Sequence, residues 1–91
     1  MYIPTFDDVK TAQERIKPYI SKTPVLSSSF INEMSGAELF FKCENLQKAG
    51  VFKVRGASNA VFGLNDEIAT KGVATHSSGN HALSLAYAAG L

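Results

Sequence analysis

The sequence has a single cysteine, Cys43, no tryptophan and only two histidines. One cysteine cannot close an internal disulfide, so the chain reads as a protein of a reducing, cytoplasmic compartment whose fold rests on packing and hydrogen bonds. It shows neither the apolar core of a signal peptide nor an apolar run long enough to span a bilayer. Charge of one sign is lacking too: nine Lys and Arg stand against eight Asp and Glu, a formal net charge of +1. No basic excess is left to bind a phosphate backbone by counterion release. Neither a membrane nor a nucleic-acid partner is expected. No segment repeats with a period of about 20 to 50 residues and none is low in complexity, which excludes solenoids, propellers and flexible linkers. The phosphate loop ending in Gly-Lys-Ser/Thr, the Gly-x-Gly-x-x-Gly dinucleotide pattern and Cys/His spacing suited to zinc are also missing, so nucleotide hydrolysis and a metal site are not expected.

What is present is a 91-residue chain, 45% hydrophobic and 19% charged, the composition of a globular protein with one core at most. It reads as one unit, residues 1–91, with no internal boundary. A chain this short buries about 60 to 65% of its unfolded surface, which limits how well it can wall off a pocket. Thr5 followed by Phe6-Asp7-Asp8 marks a helix start, with carboxylates at the positive end of the helix dipole. Phe6, Val9, Ala12 and Ile16 then share one face, and Pro18 marks the end. Ser28 or Ser29 caps a second helix through Phe30, Ile31 and Met34, stopped by Gly36. Ala37 to Glu44 has strand composition, Asn45 to Gly50 is a polar turn, and Val54, Ala57, Ala60, Val61 and Leu64 give helical spacing from Phe52 onward. Gly72 to His76 is a short apolar strand running into Ser77-Ser78-Gly79-Asn80-His81, after which Ala82 to Ala89 is helix-forming. Strands alternating with helices predict an α/β fold, a parallel sheet with helices on both faces and ligands outside the carboxyl ends of its strands. A C-cap glycine at Gly90 normally leads into another strand, so the chain reads as truncated, with part of a larger fold missing.

Two strand-to-helix turns hold the residues with chemistry. In Gly50-Val51-Phe52-Lys53-Val54-Arg55-Gly56, Lys53 stands at a helix mouth, where the dipole disfavours a cation. Flanking Phe52 and Val54 are expected to desolvate its amine. A neutral amine is a nucleophile, the property needed for a Schiff base with an aldehyde cofactor. Taken alone, a lysine there more often reaches solvent along its aliphatic stem. The second turn, Ser77 to His81, sets hydroxyls, an amide and backbone N–H groups at a helix start, where an anion binds. The same residues are also ordinary helix caps. Asp7, Asp8, Asp66 and Glu67 fall at helix ends facing water, and Phe40 and Phe41 suit core packing.

Together, KCENLQKAGVFKVRGA (Lys42 to Ala57) and THSSGNHA (Thr75 to Ala82) resemble the N-terminal part of the serine/threonine dehydratase and serine racemase family, fold-type II pyridoxal-phosphate enzymes. Thr23-Pro24-Val25-Leu26 and Phe40 to Glu44 follow the same pattern in order. The resemblance implies that Lys53 carries pyridoxal 5'-phosphate with Phe52 beside it. It implies that Ser77, Ser78, Asn80 and His81 surround the substrate carboxylate, and that Asn80 also bonds the 3-hydroxyl of the pyridine ring. Ser78 matches the serine that serves racemases as acid/base on the second face. Val51 stands where many members have Ser, which alters a pocket wall. Ala49 replaces a hydroxyl residue of members with a nucleotide effector site, although Ser28, Ser29 and Lys48 remain. Family enzymes are several times longer, and their phosphate-cradling loop lies downstream of Leu91.

The resemblance puts first a lyase that deaminates L-serine or L-threonine to pyruvate or 2-oxobutanoate and ammonia, as part of a longer, homo-oligomeric enzyme acting on a small amino acid. Serine racemase is the alternative within the family. A third reading is a non-catalytic segment that acts only through association, because sheet edges left open invite another chain.

Overall fold

A computed structural model describes every residue from Met1 to Leu91. Helix α1 runs Phe6–Ile16. The Thr5 N–H donates to Asp8 Oδ2 at 2.6 Å, and the Tyr2 hydroxyl reaches both Asp8 oxygens at 2.7 Å. These donors, the Thr5 N–H first and the Tyr2 hydroxyl second, hold the Asp8 carboxyl below the usual carboxylate range. Strand β1, Val25–Leu26, leads into α2, Ser29–Ser35. The Ser28 hydroxyl accepts the Ile31 N–H, and Gly36 ends α2 at φ 68, a left-handed turn that suits a residue without Cβ. Strand β2 follows at Phe41–Lys42, then two 3-10 turns at Glu44–Leu46 and Lys48–Gly50. Ala49 sits in the second turn at φ 55, the one non-glycine residue with positive φ.

Helix α3 spans Lys53–Phe62 and is followed by α4, Asp66–Ala69, and α5, Asn80–Ala89. The sequence pattern did not point to α4, whose Asn65 side chain accepts the Ile68 N–H at 2.9 Å. Asp66 and Glu67 occupy its first turn and face solvent.

The expected parallel sheet is not formed by these residues. The only ladder is antiparallel, with Val25 opposite Lys42 and Leu26 opposite Phe41. The strand expected over Ala37 to Glu44 shrinks: the Leu39 N–H bonds to Asn32 Oδ1 at 2.9 Å, and beyond the Cys43 N–H, which still donates to Pro24 O at 3.0 Å in the register of the ladder, the chain turns into the 3-10 turn at Glu44. Residues 73–76 pair with no strand.

Helix α3 is the centre of the molecule, packed on α5 along one side and on α1 along another. Ile16, Val54, Ala57 and Ala88 form the buried apolar core, with Ser58 and Ser84 fully enclosed beside them. Tyr19 stacks on Phe62 with centroids 3.7 Å apart, and Arg15 donates to Asn59 Oδ1 at 2.6 Å, fixing α1 to α3. The small core leaves the chain open. Its radius of gyration is 16.2 Å, against about 12 Å for a globule of this length. Phe30, Phe40, Phe52 and Leu83 are all at least half exposed and Phe41 is 44% exposed, so neither Phe40 nor Phe41 packs in a core within these residues. No helix is long and apolar enough to cross a membrane.

Candidate active site

Lys53 is the first residue of α3, exposed, and makes no hydrogen bond or ion pair within the chain. Its Nζ lies 5.5 Å from the centroid of the Phe52 ring, within the range of a cation–π contact. The desolvation expected of its two apolar neighbours is not found. Successive helical residues point about 100° apart, so Val54, at 0% exposure, turns into the core while Lys53 does not. Phe52 is 60% exposed at the N-cap and covers little of the amine.

The face of α3 that Lys53 heads is well defined. Gly56, Ala57, Ala60, Val61 and Leu64 follow it at the spacings that share one helix face, and all five line a cavity of about 280 Å³. Val73, Ala74 and Thr75 form another wall, and His81 and Leu85 of α5 close it. Small residues at positions 56, 57 and 60 keep the α3 wall low. The structure thus brings the Lys53 stripe, Thr75 and His81 to one groove. Lys53 itself, Phe52, Ser77, Ser78 and Asn80 do not line it.

The serine-rich bend differs from its expected form in one respect. Helix α5 begins at Asn80, two residues before the expected start, so Asn80 and His81 belong to its first turn. Neither Ser77 nor Ser78 is the N-cap; Gly79 is. The half-buried Ser77 instead accepts the Gly79 N–H at 3.2 Å. Ser78, Asn80 and His81 are exposed, and their side chains have no partner in the chain. The first intrahelical bond is Leu83 N–H to Gly79 O at 3.2 Å, which leaves the N–H groups of Asn80, His81 and Ala82 without acceptors.

An unbonded primary amine stands at the start of α3, one turn before the first groove-lining residue, Gly56, and three free N–H donors with adjacent hydroxyl and amide groups stand at the start of α5. This donor set fits an aldehyde cofactor that carries an anionic substrate: the amine suits the carbonyl carbon, and the helix start suits a carboxylate. Sequence reasoning passed over a set of polar neighbours: Glu44 pairs with Arg55 and accepts from Gln47 at 3.1 Å. Their place inside the motif that contains Lys53 was the available signal.

Residues 16–91 match the family model described as "Pyridoxal-phosphate dependent enzyme". The chain is 66% identical over 89 residues to the beta-hydroxyaspartate dehydratase of Paracoccus denitrificans (strain Pd 1222), covering 98% of this chain and 28% of that protein. It is 62% identical over 84 residues to the serine racemase of Dictyostelium discoideum, covering 92% of this chain and 26% of the relative. Among solved structures, maize serine racemase superposes with a TM-score of 0.93 at 58% identity, over 97% of this chain and 28% of that one. The chain therefore spans little more than a quarter of the length of the relatives it matches. Its sequence over residues 16–91, and a backbone that follows a racemase structure almost throughout, make this chain a member of the pyridoxal-phosphate dependent enzyme family.

Proposed function

We propose that the protein acts on a small 3-hydroxy amino acid and moves the proton at its Cα, with racemisation of serine as the leading activity. The observation that carries this reading is that α3, which begins at Lys53, and α5, which begins at Asn80, line one groove, with His81 of the first turn of α5 in its wall. When bound, pyridoxal phosphate supplies an electron sink for the pair left on Cα. Lys53 would hold the cofactor, with Phe52 and Asn80 beside its ring. The N–H groups at the start of α5, with Ser77, Asn80 and His81, would grip the substrate carboxylate. The Lys53 amine takes the Cα proton from one face, and the Ser78 hydroxyl returns a proton to the other. Run in reverse, the two residues exchange roles.

Dehydration is the second reading, favoured by the 66% identity to a beta-hydroxyaspartate dehydratase. Elimination needs the Lys53 base but not Ser78. The deamination of serine or threonine, which the resemblance puts first, falls within this reading, and the racemases among the relatives support the alternative at least as well. The single Cys43 is free, which suits a reducing, cytoplasmic setting. The exposed apolar side chains suit burial against further chain or another subunit of a homo-oligomer.

The test measures D-serine and keto-acid formation from L-serine and from 3-hydroxyaspartate. Lys53→Ala is expected to abolish every activity. Ser78→Ala is expected to lower racemisation by about 100-fold or more, the range for loss of a general acid, while leaving elimination largely intact. Racemisation that survives in Ser78→Ala refutes the role given to Ser78, absence of D-serine from the parent refutes the racemase assignment, and turnover in Lys53→Ala refutes both readings.

A further inference from the structure

In the segment Lys42 to Ala57 the structure joins Glu44, Gln47 and Arg55, polar side chains that the proposed chemistry does not use, in one network. Glu44 is ion-paired with Arg55 Nε through one oxygen and accepts Gln47 Nε2 at 3.1 Å through the other. Gln47, only 4% exposed, also holds the backbone of Ser21 from both sides: Oε1 accepts the Ser21 N–H and Nε2 donates to its carbonyl, each at 2.8 Å. The carboxylate is thus fixed by a buried amide that is itself anchored on the chain after α1.

Arg55 is two residues from Lys53, in the same first turn of α3. That turn has no local cap, because Phe52 at the N-cap carries no side-chain acceptor. The Glu44–Arg55 pair is the first side-chain anchor of the helix, and its members are about a fifth and a third exposed, sheltered enough to hold a defined geometry. Lys53 has no bonded partner of its own to fix where its stem begins. We infer that Glu44 and Arg55 are positioning residues for Lys53, holding the uncapped end of α3 so that the amine projects from the groove face. This inference rests on the assignment of Lys53 as the cofactor-bearing lysine.

The test compares capture of pyridoxal phosphate at Lys53 and at the exposed Lys71 in the purified protein, by borohydride reduction and peptide mass spectrometry. In the parent protein Lys53 is expected to react faster than Lys71. Glu44→Gln and Arg55→Lys are each expected to slow Lys53 by about tenfold, within the range that a small misplacement costs, while capture at Lys71 stays unchanged and the variants remain folded. Glu44→Asp, which keeps the charge and shortens the reach, is expected to fall between. Equal capture at Lys53 in folded variants and parent overturns the positioning role and leaves the proposed function standing. No preference for Lys53 in the parent overturns both. Loss of the fold in all three variants makes the pair a structural brace and overturns the positioning role.

Discussion

Val54 and Lys53 are adjacent in sequence, and α3 sends them to opposite fates, so truncating each to alanine separates stability from chemistry. Val54 is fully buried. Removing about two methylene equivalents from a buried site costs about 1.6 kcal/mol in transfer free energy, and the space left behind raises the total to about 2 to 3 kcal/mol. Lys53 is exposed and unbonded, so Lys53→Ala is expected to stay within about 0.5 kcal/mol of the parent. Urea unfolding followed by far-UV circular dichroism reads both, and for so small a protein Val54→Ala is expected to lower the midpoint by about 1 to 2 M. Cofactor capture should show the reverse order: kept in Val54→Ala below its unfolding midpoint, lost in Lys53→Ala. Equal destabilisation by the two substitutions would refute the division of α3 into a core face and a groove face.

Ala49 holds a left-handed conformation that costs an L-residue about 1 kcal/mol, so Ala49→Gly is expected to be neutral or stabilising by up to that amount in the same urea assay. The Ser84 hydroxyl is enclosed without a hydrogen-bond partner, and Ser84→Ala is expected to stabilise by about 1 kcal/mol; a loss of similar size would show that the hydroxyl has a partner. The lowered Asp8 carboxyl stabilises the start of α1 above the unfolded carboxylate value near 4. That contribution is lost as pH falls through the lower folded value, so α1 helicity should decline in acid, and Asp8→Asn should remove this step from a circular dichroism titration.

Local signals in the sequence were strong where capping chemistry decides the outcome. Thr5 with Asp8, Ser28 and Gly36 mark the ends of α1 and α2 as observed, because caps act over three or four residues. The sheet was not legible in the same way. Ala37 to Glu44 and Gly72 to His76 have strand composition, yet a strand exists only opposite a partner, and the one ladder formed is antiparallel. For the candidate site, the two motifs single out Lys53 and the bend from Ser77 to His81, and helical spacing explains why Gly56, Ala57 and Ala60 share a groove with His81. Desolvation of Lys53 was misjudged because adjacency in sequence was read as adjacency in space, whereas the helix turns Val54 away. The Glu44–Arg55 pair spans eleven residues across two turns, and no periodic signal announces a contact of that kind.

A crystal structure of the protein soaked with pyridoxal phosphate and a serine analogue would test the assignment of the groove most directly. Continuous density from Lys53 Nζ to the cofactor is expected, with the analogue's carboxylate on the N–H groups of Asn80, His81 and Ala82 and Ser78 on the opposite face from Lys53. Cofactor bound through another lysine, or a carboxylate held away from the start of α5, would contradict it.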